Sequence, residues 1–499
     1  MELLENLSLG FSVALSLQNL FYCFIGVLLG TLIGVLPGLG PIATIAMLLP
    51  ITFGLPPVSA LIMLAGIYYG AQYGGSTTAI LINLPGESSS VVTAIDGHQM
   101  ARQGRAGAAL ATAALGSFFA GTVATFLLAL FAPPLADLAL KFGPPEYFSL
   151  MVLGLIASVT LASGSIVKAL AMIVLGLLLG LSGQDIYTGV PRFTFNVPDL
   201  ADGFDFVALA MGMFGLGEII RNLEDESQRT LVAAKVDRLM LTKEELKKII
   251  GPVLRGTFLG SFLGILPGGG AMLSSFASYS VEKKISKTPQ RFGKGAIEGV
   301  AGPESANNAG AQTSFIPMLT LGIPSNPVMA LMIGALIIQG ITPGPNVVTE
   351  KPDLFWGVIA SMWIGNFMLV LLNLPLIGIW VRLLSVPYHI LFPAIMAFCC
   401  IGVYSVNNNT FDVYTMAMFG VLGYVLVKLD CEPAPLLLGF VIGPMLEEHL
   451  RRAMLISRGD PMVFVTRPIS ATLLALAVIA LVVVLLPTVS KTREEAFKE

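Results

Sequence analysis

Two clusters of small polar side chains lie beside Pro-containing breaks in otherwise apolar parts of this sequence, within residues 73–97 and 298–327. Hydroxyl and amide groups bind oxygen-rich anions, and oxygens of hydroxyl, amide and carbonyl groups coordinate Na⁺. The residues predicted to bind a substrate are Ser76, Thr77, Thr78, Pro85, Gly86, Ser88, Ser89, Ser90, Asn307, Asn308, Pro324, Ser325 and Asn326. The residues predicted to form a Na⁺-binding region are Gly38, Gly40, Asn83, Gly268, Gly270 and Thr320. The alternative for any single residue is close helix packing, for which membrane proteins also use Gly, Ser and Thr.

Two acidic residues accompany the clusters, Glu87 in the first and Glu304 in the second. They are candidate cation ligands or proton carriers, and the alternative is a carboxylate that caps the start of a helix. No Lys or Arg occurs before Arg102 or between Lys294 and Lys351. Without a guanidinium clamp in these stretches, the charge of an anionic substrate has to be balanced by helix N-termini, backbone N–H groups and bound cations.

The clusters are organised around a motif that occurs twice, GVLPGLG at 34–40 and GILPGGG at 264–270. Each copy ends one apolar run and begins another, and a glycine precedes the proline by seven residues in both, Gly30 and Gly260. Pro-Gly breaks inside apolar runs are typical of discontinuous membrane helices. Their occurrence at matching places in two halves predicts a transporter with its binding site between those halves.

The composition is that of a polytopic membrane protein, since 55% of the 499 residues are hydrophobic, 12% are charged and the mean hydropathy is +0.82. The predicted fold is all-α, with two inverted-topology repeats, Pro/Gly-broken helices, re-entrant hairpins and about 10–12 transmembrane segments. The net charge of −3 and the lack of a polybasic block give no indication of a nucleic-acid partner. The four cysteines lack metal-ligand spacing and are interpreted as small buried residues.

Breaks and charges divide the chain into four predicted segments. These are a first membrane repeat (1–220), a cytoplasmic linker (221–255), a second membrane repeat (256–490) and a C-terminal tail (491–499). Lys and Arg are concentrated in the linker, which places it inside by the positive-inside rule. The sequence TKEE at 242–245 predicts the capped start of a short amphipathic helix there.

The two broken segments are predicted to be hairpins that open to opposite sides of the membrane. The first (17–53) follows an N-terminus without basic residues, whereas basic residues flank the second (252–281) at both ends. Polar residues 93–105 mark the inside. The apolar piece 434–446 is predicted to be interfacial or re-entrant, because a crossing there would carry four arginines outside.

Several segments resemble the large permease subunit of the tripartite tricarboxylate transporter (TctA-like) family. They are GVLPGLGP (34–41), YGGSTTAILINLPGESSSVVTAIDG (73–97), FGPPEYFSLMVLGL (142–155), GILPGGGAMLSSFASYSVEKKISK (264–287), EGVAGPESANNAGAQTSFIPMLTLGIPSNP (298–327) and GFVIGPMLEEHLRRAML (439–455). The resemblance covers almost the full length. It implies import of carboxylates across a bacterial inner membrane, with a small membrane subunit, a periplasmic solute-binding protein and an ion gradient in place of ATP. Many members resemble Gly-Ser-Gly-rich sequence where this chain has Ser325-Asn-Pro327, so the substrate is left open.

The predicted function is secondary import of tricarboxylates or related organic acids, coupled to Na⁺, with no other cofactor and no enzymatic activity. Proton coupling in the same fold is the alternative. A remote rival is an intramembrane protease, because residues 447–452 fit the pattern Glu-Glu-x-x-x-Arg, although the metal-binding histidines of such enzymes are missing. An ATP-driven pump lacks a phosphate-binding loop, and a channel remains a further alternative.

Overall fold

The computed structural model describes residues 2–36, 40–84, 86–161, 165–185, 187–224, 236, 239–266, 270–383 and 388–485. The helices before residue 225 are α1 (Glu2–Ala14), α2 (Leu17–Gly34), α3 (Pro41–Thr52), α4 (Pro57–Ile82), α5 (Val91–Arg102), α6 (Ala106–Ala139), α7 (Pro144–Leu161), α8 (Ile166–Gly180), α9 (Phe206–Ala210) and α10 (Gly217–Glu224). The later helices are α11 (Lys243–Ile265), α12 (Gly270–Ile285), α13 (Glu298–Thr313), α14 (Phe315–Leu321), α15 (Pro327–Ile338), α16 (Asn346–Glu350), α17 (Pro352–Asn373), α18 (Ile377–Leu383), α19 (Tyr388–Asn407), α20 (Thr410–Lys428), α21 (Pro433–Ile456), α22 (Val463–Thr466) and α23 (Pro468–Leu485). Short 3₁₀ turns at Ser88–Ser90, Pro198–Leu200 and Pro289–Arg291, a π-helical segment at Met211–Leu216, and one antiparallel sheet of β1 (Gly183–Gln184) and β2 (Pro191–Arg192) complete the described structure. The predicted site residues Gly38, Pro85 and Gly268, and the predicted tail 491–499, lie outside the described residues.

The helices have the lengths and surfaces of a membrane protein. Five of those described, α2, α6, α11, α17 and α20, are long and apolar enough to cross a membrane, and seven shorter apolar helices accompany them. On α20 the exposed side chains Tyr414, Met418, Val421 and Val425 recur at helical spacing and form a continuous apolar stripe. The prediction of an all-α polytopic membrane protein is confirmed.

The internal repeat is visible in how the helix before each Pro-Gly motif packs. In both halves three glycines stand three, seven and eleven residues before the proline of the motif. They are Gly26, Gly30 and Gly34 on α2, and Gly256, Gly260 and Gly264 on α11. These glycines lie directly against the backbone of residues 63–71 of α4 and 302–310 of α13, respectively. Since a Cβ atom at any of them would overlap that backbone, the close approach of the two helices requires glycine.

The breaks after α4 and α14 begin and end with residues of matching backbone conformation. Asn83 (φ 59°) ends α4 and Gly322 (φ 69°) ends α14, both in the left-handed conformation. Four residues later, Glu87 and Asn326 are extended and begin the next helical segments as N-caps. The exposed Asn83, predicted as part of the Na⁺ region, therefore occupies a position that the turn itself requires.

The polar residues 93–105 are not a surface loop, because most of them belong to α5, which packs between the halves. The buried Asp96 carboxylate accepts hydrogen bonds from the N–H groups of Gly295 and Ala296, at 2.8 Å each. It also accepts one from the Tyr279 hydroxyl at 3.0 Å. Helix α5 thus fixes the first half to the segment that begins α13.

The predicted short helix in the linker begins as expected but is longer. The Thr242 hydroxyl accepts a hydrogen bond from the Glu245 N–H (3.2 Å), and the Glu245 carboxylate accepts one from the Thr242 N–H (2.9 Å), so the capping box is confirmed. The helix then continues through Pro252 for 23 residues, and the predicted surface helix and first hairpin arm form one element. Pro252 cannot donate a backbone hydrogen bond within this helix, and the glycines that follow it pack closely on the α13 backbone.

The apolar piece 434–446, predicted to be interfacial or re-entrant, is not an element of its own, and its position relative to the membrane stays a prediction. These residues form the first half of α21, a continuous helix of 24 residues. Gly176 and Gly180 of α8 lie against the α21 backbone at Leu436 and Phe440. Because residue numbers increase together along both helices at these contacts, α8 and α21 pack as a parallel pair, which a hydropathy pattern does not reveal.

The charged second half of α21 is held by ion pairs to the β1–β2 hairpin. Arg451 donates to Asp185 at 2.7 Å, and Arg192 donates to Glu447 at 2.8 Å. The N–H group of Thr188, and then the Arg451 guanidinium, hold the pKa of the Asp185 carboxyl below its ordinary range. The Glu-Glu-x-x-x-Arg pattern at 447–452 is thus explained by charge pairing, and the protease reading receives no support from it.

We expect the Pro-Gly tips at 37–38 and 267–268 to lie at similar depth, with their hairpins open to opposite faces of the membrane. Single cysteines at Leu55 and Ser286, in a chain whose four native cysteines are replaced by serine, provide the measurement. An impermeant maleimide should label position 55 only from outside and position 286 only from inside. Labelling of both positions from one face would contradict the inverted repeat.

Candidate functional site

Two buried carboxylates mark the polar interface between the halves. Glu304 lies in the interior of α13 and is 1% exposed, and Glu87 lies at the break after α4 and is 8% exposed. Neither forms an ion pair within the described part of the chain. A buried carboxylate without a cation is costly unless hydrogen-bond donors or a bound ion stabilise it. The surroundings of these two residues therefore define the candidate site.

Glu304 is surrounded by neutral hydroxyl groups from the first half of the chain. The Ser76 hydroxyl lies 2.9 Å from each of its carboxylate oxygens, and the Thr93 hydroxyl donates to Oε1. The Ser117 hydroxyl lies 3.4 Å from Oε2. The helix-cap alternative is wrong for Glu304, because it stands in the middle of its helix.

Glu87 combines a capping role with a contact across the interface. It is the N-cap of the 3₁₀ turn 88–90 and forms a capping box with Ser90. Its Oε1 accepts hydrogen bonds from the Ser89 hydroxyl (2.6 Å) and from Nδ2 of Asn307 (3.0 Å). Asn307 is completely buried, and its Oδ1 has no hydrogen-bond partner among the described residues.

Neighbouring residues extend the contact between the halves. Nδ2 of Asn308 donates to the Ser117 hydroxyl at 2.6 Å, which connects it to the surroundings of Glu304. The Ser275 hydroxyl on α12 donates to the carbonyl of Ser89 at 3.0 Å. Of the predicted substrate-binding residues, the structure thus brings Ser76, Ser89, Ser90, Asn307 and Asn308 together around the two carboxylates.

The second break, after α14, is held by hydrogen bonds among residues of the second half. Asn326 accepts a hydrogen bond from the Met329 N–H (3.0 Å), and its Nδ2 donates to the Ser314 hydroxyl (3.0 Å). The Ser325 hydroxyl points to the Ser314 carbonyl at 3.4 Å, and Gly270, with φ 50°, lies beside Asn326. Gly270 beside this break and Ser275, which contacts Ser89 at the first break, are five residues apart on α12. Five residues of helix correspond to a rise of about 7.5 Å along its axis.

Other predicted site residues have local structural roles. The hydroxyls of Thr77, Thr78 and Thr320 donate to carbonyls of their own helices. Ser88 is exposed, and Pro324 is buried within the second break. A ligand role for these five residues stays a prediction.

Three helix N-termini converge on the two breaks. Helix α3 begins just after Gly40, which lies beside the carbonyl of Gly86, and α12 begins at Gly270 beside Asn326, the N-cap of α15. The N-terminus of each helix carries a partial positive charge and free N–H groups. The interface therefore offers positive potential without a Lys or Arg side chain.

Sequence reasoning missed three residues that the structure places at Glu304. Thr93 was missed because it belongs to the polar run 93–105, which was assigned to the inner side of the membrane. Ser117 was missed because it is a single polar residue in an apolar span. Asn373 lies at the end of α17 and lines the same small cavity as Glu304. An isolated Ser or Asn in a membrane helix is a usable signal, but such residues also mediate plain helix packing.

Comparisons with known proteins identify related chains. The family described as "Tripartite tricarboxylate transporter TctA family" matches residues 20–438. A protein of Agrobacterium vitis described as "Uncharacterized 52.8 kDa protein in TAR-I ttuC' 3'region" is 68% identical over 499 residues, 100% of this chain and 99% of its own length. A second from the same organism, "Uncharacterized protein in TAR-II ttuC' 3'region", is 68% identical over 240 residues, 48% of this chain and 99% of its own length. No solved structure matches the chain.

Proposed function

This chain belongs to the tripartite tricarboxylate transporter TctA family, and we propose that it imports tricarboxylates or related organic acids together with Na⁺. It is a multi-pass membrane protein of a transporter family, not an enzyme. Members of the family work with a small membrane subunit and a periplasmic binding protein. We propose the same partners for this chain, in a bacterial inner membrane.

The observation that carries the Na⁺ proposal is the chemistry of the interface between the halves. Hydroxyl and amide groups surround two buried carboxylates there, and no ion pair involves either carboxylate among the described residues. Carboxylate, hydroxyl and amide oxygens are ligands for hard cations such as Na⁺. The same groups, together with helix N-termini, can bind carboxylates of a substrate.

The charge balance of import supports bound cations. Moving an anion inward against an inside-negative potential costs about 2.3 kcal/mol per charge per 100 mV. Two helix N-termini of roughly +0.5 each neutralise about one of the two or three negative charges of a polycarboxylate. The remaining charge is best carried by co-transported cations, more than one per substrate.

The test is uptake by proteoliposomes that contain both membrane subunits, supplied with the binding protein and a labelled substrate. Citrate, a dicarboxylate and an aromatic acid form the first substrate panel. We expect uptake to require Na⁺, to saturate with a dependence on more than one Na⁺, and to stop when the Na⁺ gradient is collapsed. Full uptake driven by a pH gradient alone in Na⁺-free buffer would instead favour proton coupling through Glu87 or Glu304.

A further inference from the structure

A small cavity lies against Glu304. It is lined by α4, α6, α13 and the junction between α17 and α18. Its polar lining consists of Tyr73, Ser76, Thr77, Ser117, Glu304 and Asn373. The cavity accommodates a group the size of one water molecule, which is also adequate for a dehydrated Na⁺.

Asn373 gives independent evidence that this cavity is built for a ligand. The residue is 5% exposed, and its Nδ2 donates to the carbonyl of Leu369 at 2.9 Å. Its Oδ1 has no hydrogen-bond partner within the described structure. A buried amide oxygen without a donor costs about 1–3 kcal/mol, so a bound group that this oxygen can contact would remove the penalty.

The hydrogen bonds at Glu304 leave its oxygens suited to a cation. Asn308 donates to the Ser117 oxygen, so the hydroxyl proton of Ser117 is free to face Glu304. Thr93 supplies a second hydroxyl, and Ser76 a third that also faces the carbonyl of Gln72. These donors are neutral, and the single carboxylate provides one negative charge.

We propose that this cavity binds one of the coupling Na⁺ ions, with Glu304 supplying the charge and Ser76, Ser117 and Asn373 supplying further oxygens. One carboxylate balances a monovalent ion, whereas a divalent ion would leave a buried excess charge. A cation in the cavity could contact both Asn373 Oδ1 and the Glu304 carboxylate, because both residues line it. The proposal rests on Na⁺ coupling as the proposed function and adds where the ion binds.

The position of this site also explains how ion and substrate can be coupled. Glu304 and Asn307 are three residues apart and lie on the same face of α13. Asn307 contacts Glu87 at the first break, and Asn308 contacts Ser117 at the cavity. If ion binding at Glu304 moves this turn of α13, Asn307 moves with it. The hydrogen bond between Asn307 and Glu87 at the first break then changes.

The experiment measures thermal unfolding of the purified full-length protein in NaCl and in KCl at equal ionic strength. We expect the Tm of the wild type to rise saturably with Na⁺ and not with K⁺. Glu304→Gln should lose the Na⁺-specific rise, and Asn373→Leu should raise the half-saturating Na⁺ concentration at least ten-fold. Glu298→Gln, on the first turn of the same helix, is the matched control and should respond as the wild type does.

The outcomes separate this site from the proposed function. A full Na⁺ response in Glu304→Gln, or loss of the response in Glu87→Gln alone, would overturn the site even if uptake needs Na⁺. A Glu304-dependent response together with Na⁺-independent uptake would retain the site and reject Na⁺ coupling. If Glu304→Gln fails to fold, the Na⁺ responses of Asn373→Leu and Thr93→Val test the site instead. Half-saturating Na⁺ concentrations equal to that of the wild type in both variants would overturn it. A wild type whose Tm does not respond to Na⁺ would overturn it as well.

Discussion

Replacement of Gly260 by leucine is expected to lower the amount of folded protein in the membrane several-fold or more. A Cβ atom at Gly260 would overlap the backbone carbonyl of Ala306, which cannot move without shifting α13. Overpacking a core typically costs about 1–3 kcal/mol, and a clash with backbone belongs at or above the upper end. Net stability is only about 5–15 kcal/mol, and in cells a loss of about 1–2 kcal/mol already changes protein abundance several-fold, so the abundance in the membrane should fall by at least that much. Membrane abundance of a fluorescent fusion, followed by size-exclusion chromatography, measures the effect.

A glycine at the matching position of the first half provides a second test, and an uncrowded helical glycine provides a control. Gly30→Leu should match Gly260→Leu, since Gly30 has the same contact with the backbone of Ile67 in the first half. Gly378 is also a helical glycine, but no atom lies within 4 Å of the position its Cβ would take. Gly378→Leu should therefore fold normally. Normal abundance of Gly30→Leu and Gly260→Leu would show that the two glycine contacts do not define the fold.

Asn307→Ala is expected to lower uptake at least ten-fold per molecule of folded transporter. The substitution removes the only amide that reaches Glu87 across the interface among the described residues, together with the unpartnered Oδ1. A hydrogen bond to a charged group contributes about 1.5–3 kcal/mol. At about 1.4 kcal/mol per factor of ten, the loss corresponds to ten-fold or more. Initial uptake rates, normalised to protein in the proteoliposomes, test this.

Three further variants show whether the effect is specific to that contact. Thr125→Val keeps the shape of a buried residue of α6 whose hydroxyl donates to the Gly121 carbonyl of its own helix, and it should transport almost normally. Asn326→Ala should also lower uptake ten-fold, and the structure adds that this loss includes a destabilised helix start, worth about 1 kcal/mol. Asn326→Asp keeps the cap and should recover stability. Near-normal uptake by Asn307→Ala and Asn326→Ala would return both residues to a packing role.

The sequence by itself determined the class of the protein, its repeat and the places where its helices break. Hydropathy identifies membrane segments because every helix in lipid must be apolar over its length. The glycines before Pro37 and Pro267 recur at equal spacing because both pairs of helices need the same close backbone contact. The capping box at Thr242 was readable because it is formed by residues three positions apart.

Only the tertiary structure decided which polar groups meet. Thr93 and Ser117 stand more than 180 residues from Glu304 in the chain, and no local pattern assigns a hydroxyl to a particular carboxylate. The length of α21 depended likewise on glycines of α8 and on ion pairs to β1–β2. A periodic pattern reports which face of a helix is buried, whereas the partner of each buried polar group is set by the packing of helices that are distant in sequence.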